Sequence, residues 1–382
     1  MRLLSLVFAA LFTLFAASSA NAQLLPPAPA VNARAWLLID QASWQPLASA
    51  NADERIEPAS LTKLMTAYIV FGAIKQGIIK PDQQVPVSEK AWKAPGSRMF
   101  IEPNKPVTVN ELIRGMIVQS GNDACIALAE AVAGSEAGFV QMMNHEAARL
   151  GLKNTHFMNA TGLPDPQHYT TASDLAHLAA SLIRDYPDFY PIYSMKEFRY
   201  NNINQPNRNR LLWLDPTVDG VKTGHTEAAG YCLIASAKRG SRRLLSVVLG
   251  ANSDMLRAQE SQKLLNFGFQ AFDGVKLYDK GQPVAQPKVF KGTQNTVKAG
   301  FNDDFVISLP KGMADKIKVE LVSVQPLLAP IQRGQRVATL RVMLDAGGAP
   351  KVWGEYPVVA LEDVPVAGIV GRAWDSILLF FK

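Results

Sequence analysis

Apolar side chains are spaced along the chain in two ways, which divides it into a longer mixed region and a shorter β-rich one. In the first region the apolar positions recur at helical intervals across 64–74, whereas Ala35–Asp40 and three later segments have strand character. The later segments are Val218–Gly224, Tyr231–Ala237 and Arg243–Gly250. Short connections such as Lys238–Gly240 favour antiparallel neighbours. Residues 30–273 are therefore predicted to form an α/β domain in which helices flank an antiparallel sheet.

Polar capping residues mark where further helices begin in this region. Thr108 followed by Glu111 is close to a capping box, and Ser173 or a neighbour is expected to cap a later helix. The predicted helices are 108–119, Asp123–Ala133, Glu136–Leu150, a helix from about Ser173 through Leu182, and Ser253–Phe272. A break at Ser120–Asn122 allows polar side chains to point into a cleft. The segment Gly96–Phe100 is either a loop over that cleft or an ordinary surface loop.

Strand-length segments separated by Gly/Pro turns dominate from about Gly274, so residues 274–364 are predicted to form a small all-β domain. The segments are Pro287–Phe290, Asn295–Ala299, Phe305–Leu309, Ile317–Val324, Arg336–Leu344 and Lys351–Val359. In residues 365–382, apolar side chains from Val366 to Phe381 share one helical face opposite Arg372 and Asp375. That pattern favours an amphipathic helix in a membrane interface, and the alternative is a terminal helix docked on the β domain. The segment is too short and too charged to span a bilayer.

The composition excludes wholesale disorder and gives no support to nucleic-acid binding. The chain has 382 residues, of which 48% are hydrophobic, and a formal net charge of +6. That length favours more than one domain. Its basic residues are scattered, without a Lys/Arg run or an aromatic-basic repeat. Residues 1–22 contain Arg2, an apolar stretch and the ending Ala20–Ala22, which predicts a secretory signal cut after Ala22; the alternative is an uncleaved anchor.

The cysteines and most histidines show no pattern typical of a metal site. Cys125 and Cys232 lie in apolar surroundings, so buried free thiols are favoured over a disulfide, although export would permit one. Four histidines lack ligand spacing with carboxylates or thiols and are interpreted as ordinary surface or core residues. They are His145, His156, His168 and His177. No metal or organic cofactor is expected.

Three short motifs in a fixed order carry the candidate chemistry. They are Ser60-Leu61-Thr62-Lys63, Ser120-Gly121-Asn122 and Lys222-Thr223-Gly224. If Ser60 lies in the first turn of a helix, Lys63 lies one turn away on the same face, which places a base beside a nucleophile. A lysine can accept that proton only if burial or a second cation lowers its pKa. Isolated matches such as Ser308–Lys311 arise by chance, but all three motifs in this order are characteristic of penicillin-binding proteins and class A β-lactamases.

The residues around the motifs make the resemblance more specific. The Ser60 motif, Ser120–Cys125 and Asp219–Thr226 resemble the low-molecular-mass penicillin-binding proteins, the D-alanyl-D-alanine carboxypeptidases of peptidase family S11. The resemblance covers nearly the whole chain after the signal. It implies a serine β-lactamase/DD-peptidase-like catalytic domain with a helical subdomain, followed by the all-β domain and the amphipathic helix. It also implies an exported protein, held peripherally at the periplasmic face of the inner membrane, that remodels the cell wall.

The same resemblance gives each motif residue an expected role. Ser60 would attack the carbonyl between the two terminal D-alanines of a peptidoglycan stem peptide, with Lys63 as the base. Ser120 would relay a proton, and Asn122 would hold Lys63 and the substrate amide. The residues expected to bind the substrate are Lys222, Thr223, Gly224, His225, Arg208 and Arg257. For the two arginines the alternative is an ordinary surface position. Backbone N–H groups of Ser60 and His225 would form the oxyanion hole, and β-lactam antibiotics would be covalent inhibitors.

Two positions depart from the family pattern. The turn Gln41–Gln45 lacks the glycine common between the first two strands of related proteins, which leaves the shape of that hairpin open. Arg210 stands where related sequences often have glycine, so the surroundings of Arg208 are expected to differ.

Three other functions remain open at this point. A β-lactamase would add a glutamate-driven deacylation step, but Glu197–Asn201 matches the E-x-x-L-N pattern only at its ends. A non-catalytic wall-binding protein would lack at least one motif side chain, and all are present. An endopeptidase that cuts cross-links between stem peptides uses the same residues, so the sequence does not separate it from a carboxypeptidase.

Overall fold

The computed structural model describes residues 25–345 and 349–380, which fall into two compact units. Residues 28–272 form the first unit, and the second comprises the chain from Asp273 onward together with residues 25–27. The signal predicted for residues 1–22 lies outside the described residues. Each unit has its own apolar core.

A five-stranded antiparallel sheet forms the centre of the first unit. The strands of this unit are β1 (Ala35–Asp40), β2 (Gln45–Ala50), β3 (Gln84–Val85), β4 (Val107–Thr108), β5 (Glu197–Tyr200), β6 (Ile203–Pro206), β7 (Val218–Thr226), β8 (Gly230–Arg239) and β9 (Arg242–Ala251). Five of them pair in the order β2-β1-β9-β8-β7. The three successive runs predicted to be antiparallel neighbours are β7, β8 and β9, and that prediction is confirmed.

Helices cover both faces of this sheet. They are α1 (Lys63–Lys75), α2 (Glu89–Trp92), α3 (Val109–Val118), α4 (Asn122–Ala133), α5 (Glu136–Arg149), α6 (Ala172–Asp185), α7 (Leu211–Leu214) and α8 (Asp254–Ala271). All six residues of β1 are buried because alternate side chains point to opposite faces. Leu37 and Ile39 belong to the core that includes α1 and α6, whereas Trp36 and Leu38 pack with Leu264 of α8. The predicted α/β class is therefore confirmed.

Local sequence explains where several of these helices begin. Thr108 caps α3 in a complete capping box, since its hydroxyl accepts from the Glu111 N–H at 3.2 Å and the Glu111 carboxylate accepts from the Thr108 N–H at 2.8 Å. Thr171, a neighbour of Ser173, caps α6. The turn before β2 forms without glycine because Trp44 takes the left-handed conformation, with φ of 57°.

The second unit is rich in short strands. They are β10 (Phe272–Tyr278), β11 (Pro283–Ala285), β12 (Val289–Phe290), β13 (Ala299–Gly300), β14 (Phe305–Pro310), β15 (Ile317–Ser323), β16 (Leu327–Leu328), β17 (Arg336–Leu344) and β18 (Lys351–Ala360). Five form an antiparallel sheet in the order β11-β13-β18-β17-β15, while β10 pairs with β14 and β12 with β16. The predicted all-β character is confirmed. The strand β10 was not predicted, because it follows α8 directly with no helix-stopping residue between them.

A last helix, α9 (Ile369–Phe380), follows the strands, and none of its residues is buried. Ile369 is 78% exposed and Trp374 is 63% exposed, so the apolar face predicted from sequence is uncovered. The Asp375 carboxylate accepts a hydrogen bond from the Lys291 N–H. Phe381, the last residue of the predicted face, lies outside the described residues. Across 25–345 and 349–380, no helix combines the length and apolarity needed to cross a bilayer.

Candidate active site

The candidate nucleophile Ser60 lies in a short 3-10 turn, where the sequence predicted the first turn of an α-helix. The turn spans Ala59–Thr62, and α1 begins at Lys63. The one-turn spacing is kept, because Lys63 Nζ donates a 2.9 Å hydrogen bond to Ser60 Oγ. Ala59 has a left-handed φ of 47°, which lets the chain turn sharply before the helix. The motif thus places an amine directly against a hydroxyl.

The Lys63 amine is buried among polar acceptors. The residue is 2% exposed, and Nζ also donates to Asn122 Oδ1 at 2.7 Å and to the Thr161 carbonyl at 2.6 Å. Burial, helped by the positive charge of Arg208, lowers the pKa of Lys63 to about 8. A lysine with that pKa is unprotonated in about a tenth of molecules at pH 7. Lys63 is therefore able to accept a proton from its neighbour.

A second pair of amine and hydroxyl lies beside the first. Ser120 occupies the break between α3 and α4 with a left-handed φ of 66°, and its Oγ accepts a 2.9 Å hydrogen bond from Lys222 Nζ of β7. Lys222 also donates to the Thr223 carbonyl at 3.0 Å. Burial first, and the charge of Lys63 second, hold the pKa of Lys222 well below its usual range. Two serines and two lysines from three distant segments therefore meet in one place.

Ser60 and Ser120 open into a crevice of about 900 Å³. The motif residues that line it on β7 are Thr223, Gly224 and His225. The segment Gly96–Phe100, which had two interpretations from sequence, contributes Gly96, Ser97, Arg98 and Phe100 to the wall. Of those two interpretations, the loop at the cleft is therefore the one that the structure supports.

Gly224 lets β7 lie close to the turn that carries Ser60. A Cβ added at Gly224 would stand 3.2 Å from the Pro58 carbonyl oxygen and 3.3 Å from Leu61 Cγ. Those contacts are tighter than ordinary packing, so a side chain here would push the strand away from the turn. The next residue, His225, packs its ring against that of Tyr231, with 4.0 Å between the ring centroids and a tilt of 33° between the planes.

Arg208 is exposed at the rim of the crevice and is presented there by two buried asparagines. Asn207 donates to the Met195 carbonyl at 2.9 Å, and Asn209 donates to the Gly220 carbonyl of β7 at 3.0 Å. The residues on both sides of Arg208 are therefore fixed by hydrogen bonds, while the Arg208 side chain lines the crevice.

Arg257 of α8 lines the crevice with a side chain that is almost fully buried. It is 5% exposed and donates to the Gly224 carbonyl at 3.0 Å, so it braces β7. Its guanidinium also pairs with the Asp254 carboxylate, whose other oxygen pairs with Arg210. Arg210, the position where related sequences often have glycine, thus adds a second cation to this carboxylate at the rim.

Comparison with known proteins places the chain in a family. The family description for D-alanyl-D-alanine carboxypeptidase (peptidase S11) matches residues 21–253, and that for the C-terminal domain of penicillin-binding protein 5 matches residues 272–366. The D-alanyl-D-alanine carboxypeptidase DacC of Escherichia coli K12 is 43% identical over 376 residues, which are 96% of this chain and 93% of the relative. The chain belongs to the D-alanyl-D-alanine carboxypeptidases of peptidase family S11. The family inferred from the motifs is thereby confirmed.

Solved structures share the fold of this carboxypeptidase. Penicillin-binding protein 5 of Haemophilus influenzae superposes with a TM-score of 0.83 at 41% identity, covering 89% of this chain and 99% of its own. Penicillin-binding protein D2 of Listeria monocytogenes, in its cefotaxime-bound form, superposes with a TM-score of 0.60 at 31% identity, covering 64% of this chain and 100% of its own.

Besides the Thr161 carbonyl that accepts from Lys63, sequence reasoning missed a histidine of the carboxypeptidase that contacts the first motif. His168 was interpreted as an ordinary histidine, but its Nε2 lies 2.9 Å from the Thr62 Oγ1, between Ser60 and Lys63 in sequence. The ring is 2% exposed, and burial lowers the pKa of His168 to about 4, so it is neutral. No local pattern could have revealed this contact, because it joins positions 106 residues apart.

Other candidates from the sequence lie where they were expected or outside the crevice. Cys125 and Cys232 are both free and buried, as the sequence favoured. Glu197, the end of the partial β-lactamase pattern, lies on the hairpin strand β5, where its carboxylate accepts from Asn204 at 2.9 Å. Among the residues that the structure describes, no three side chains of the His, Cys, Asp or Glu type are grouped to ligate a metal.

Proposed function

We propose that Ser60 is the nucleophile of the carboxypeptidase and Lys63 its general base. The observation that carries this proposal is the 2.9 Å hydrogen bond between Lys63 Nζ and Ser60 Oγ at a lysine whose pKa is lowered to about 8. Lys63 would take the hydroxyl proton as Ser60 Oγ bonds to the carbonyl carbon of the penultimate D-alanine. The proton would pass through Ser120 to the leaving amine as the peptide bond breaks and D-alanine departs. Water would then cleave the ester and restore the serine.

The substrate's terminal carboxylate would bind at β7. Its proposed ligands are Thr223 and Arg208, which line the crevice, and Lys222, whose amine bonds to Ser120 of the same crevice; Arg257 would support the strand. The backbone N–H groups of Ser60 and His225 would hold the oxyanion. No metal or organic cofactor takes part in this scheme.

The proposed substrate is the peptidoglycan stem peptide that ends in D-alanyl-D-alanine, and β-lactams would acylate the same serine. Support comes from the cefotaxime-bound relative from Listeria and from the carboxypeptidase names of the relatives. A deacylating glutamate of the β-lactamase kind has no support at Glu197, which does not line the crevice. An endopeptidase on cross-linked peptides would use the same groups.

Labelling with fluorescent penicillin and mass spectrometry of the labelled peptide test this assignment. We expect the label on Ser60, its loss in Ser60→Ala, and release of D-alanine from a pentapeptide by the wild type. Label on another residue, or undiminished label in Ser60→Ala, would falsify the proposal. Comparing a pentapeptide with a cross-linked dimer as substrates separates carboxypeptidase from endopeptidase activity.

We further propose that the protein is exported through its N-terminal signal and held at the membrane surface by α9. The uncovered apolar side chains Ile369, Val370 and Trp374, the second of them 85% exposed, support this anchor. Deleting the residues after Pro365 is expected to move the protein from the membrane to the soluble fraction, whereas Arg372→Gln on the polar face should leave it in place. Unchanged sedimentation of the truncated protein would contradict the anchor.

A further inference from the structure

The wall segment 95–101 is joined to the start of α4 by a dense set of hydrogen bonds. It has two residues in the left-handed region, Gly96 with φ of 82° and Phe100 with φ of 68°, so it is an irregular chain that needs external support. That support comes from two consecutive residues, Asn122 and Asp123, directly after the second motif. The segment includes Ser97 and Arg98, which line the crevice.

Asp123 supplies most of these bonds. It is 0% exposed, and its Oδ1 accepts from the N–H of Met99 at 2.9 Å and of Ala124 at 2.9 Å. Its Oδ2 accepts from the N–H of Phe100 at 2.8 Å and of Ile101 at 3.2 Å. Both carboxylate oxygens thus accept hydrogen bonds, and three consecutive backbone amides of the wall donate to this one side chain. A buried carboxylate needs such partners.

Asn122 links the same segment to the base. Its backbone N–H donates to the Ser97 carbonyl at 2.7 Å, and its side-chain Nδ2 donates to the Pro95 carbonyl at 2.7 Å. The second bond fixes the orientation of the amide, so that Oδ1 points to Lys63 Nζ at 2.7 Å. A displaced Pro95 would release the amide to rotate and present N–H groups to the lysine.

We propose that Asp123 is a positioning residue for the reaction. By binding segment 95–101 to the start of α4, its carboxylate keeps the Asn122 amide directed at Lys63 and holds the segment in the wall of the crevice. The inference rests on the roles proposed for Lys63 and Asn122. It gives Asp123 a function beyond stability, because the amides it binds belong to the same segment as the carbonyl that orients the Asn122 side chain.

Substituting Asp123→Asn tests this directly. An asparagine has nearly the same shape, but its NH₂ group would face the N–H groups of the wall, which displaces them. We expect the second-order rate of Ser60 acylation by fluorescent penicillin to fall about 10- to 100-fold. Asp40→Asn is the control for loss of a buried carboxylate: Asp40 is also 0% exposed, accepts the Ala42 N–H at 3.0 Å and pairs with Arg242 Nε at 2.6 Å, but does not line the crevice. It should acylate within about twofold of wild type.

The dependence of the acylation rate on pH is a second measurement, and substitution of a residue with a purely structural role would not shift it. The charge of Asp123 raises the pKa of Lys63, so removing that charge should lower the pKa. The acidic limb of the pH–rate profile, where the acylation rate rises as Lys63 loses its proton, should then move to lower pH. Cys125 acts in the same direction as Asp123 and Arg208 in the opposite one, and both stay in place in the variant. The other titratable groups facing Lys63 are Lys222 of β7 and His168.

Met99→Ala is the second variant, for the case that Asp123→Asn does not fold. Met99 is 0% exposed, so its truncation loosens the same segment while the Asp123 charge remains. Acylation should fall as in Asp123→Asn, with the acidic limb unmoved. The proposal would be overturned if both variants acylated within twofold of the wild-type rate, or if their rates fell no further than that of Asp40→Asn. If the wild type itself were not labelled on Ser60, the proposed function would fail instead, so the two failures are distinguishable.

Discussion

The two units of the carboxypeptidase bury very different side chains. In the first unit the interior holds ionisable groups, among them Lys63, Asp123, Lys222 and Arg257. In the described part of the chain after Phe272, the buried polar side chain is Ser308, within a core of apolar strand residues. Burying a charged group costs free energy unless it is paired, so the first unit carries a cost that the second avoids.

This difference is expected if the proposed chemistry takes place in the first unit. Lys63 has three hydrogen-bond acceptors and Asp123 has four backbone donors, so the buried groups are satisfied rather than isolated. Burial also lowers the pKa of both lysines, which is what a lysine base requires. The second unit resembles an ordinary β domain, in which stability depends on apolar packing.

The largest expected effect is the loss of chemistry in Lys63→Met. Methionine has a similar length but no amine, so the acylation rate should fall about 10²- to 10⁴-fold. Lys75→Met at the other end of α1 is the control, because the Lys75 amine bonds to the Asp185 carbonyl at the surface. Stopped-flow labelling with fluorescent penicillin measures both variants. If Lys63→Met acylated as fast as Lys75→Met, the assignment of Lys63 as the base would be contradicted.

Leu340→Ala should affect stability and leave the chemistry intact. Leu340 of β17 is 2% exposed in the core of the second unit, and truncation of such a leucine costs about 2–5 kcal/mol of unfolding free energy. Arg341→Ala, next on the strand, loses only exposed pairs with Glu355 and Glu320 and should leave the free energy of unfolding nearly unchanged. Denaturant unfolding followed by circular dichroism compares them. A drop in acylation rate of folded Leu340→Ala would show that the two units are not functionally separate.

A smaller effect is expected for Arg208→Gln. Loss of this rim cation should raise KM about tenfold for a substrate with a free terminal carboxylate. The positive charge of Arg208 lowers the pKa of Lys63, so its removal should also move the acidic limb to higher pH, opposite to Asp123→Asn. Arg199→Gln on β5 is the control, since Arg199 does not line the crevice. Steady-state kinetics with pentapeptide would contradict this role if KM were the same in both variants.

Much of this architecture could be predicted from the sequence because it depends on local pattern. The capping box at Thr108 and the strand character of β7, β8 and β9 follow from residues that are neighbours in the sequence. The three motifs identified the crevice through a family resemblance. The 3-10 turn at Ser60 could not be predicted, because it depends on the left-handed Ala59, a residue with no preference for that conformation.

The supporting contacts were not predicted because they join distant parts of the chain. Asp123 binds amides more than 20 residues upstream, and His168 contacts Thr62 across 106 residues. Nothing in the neighbourhood of either residue reveals its partner. The strand β10 was missed for a local reason instead, since α8 ends at Ala271 and the strand begins at Phe272 without a turn.

The pH dependence of penicillin acylation in the wild type is the most direct measurement of the central claim, that Lys63 is a lysine base made available by burial. The second-order rate constant for labelling Ser60 should rise with pH along a single acidic limb near the pKa of about 8. A limb near the ordinary lysine value of 10.5, or a rate that does not change with pH, would contradict the assignment of Lys63 as the base.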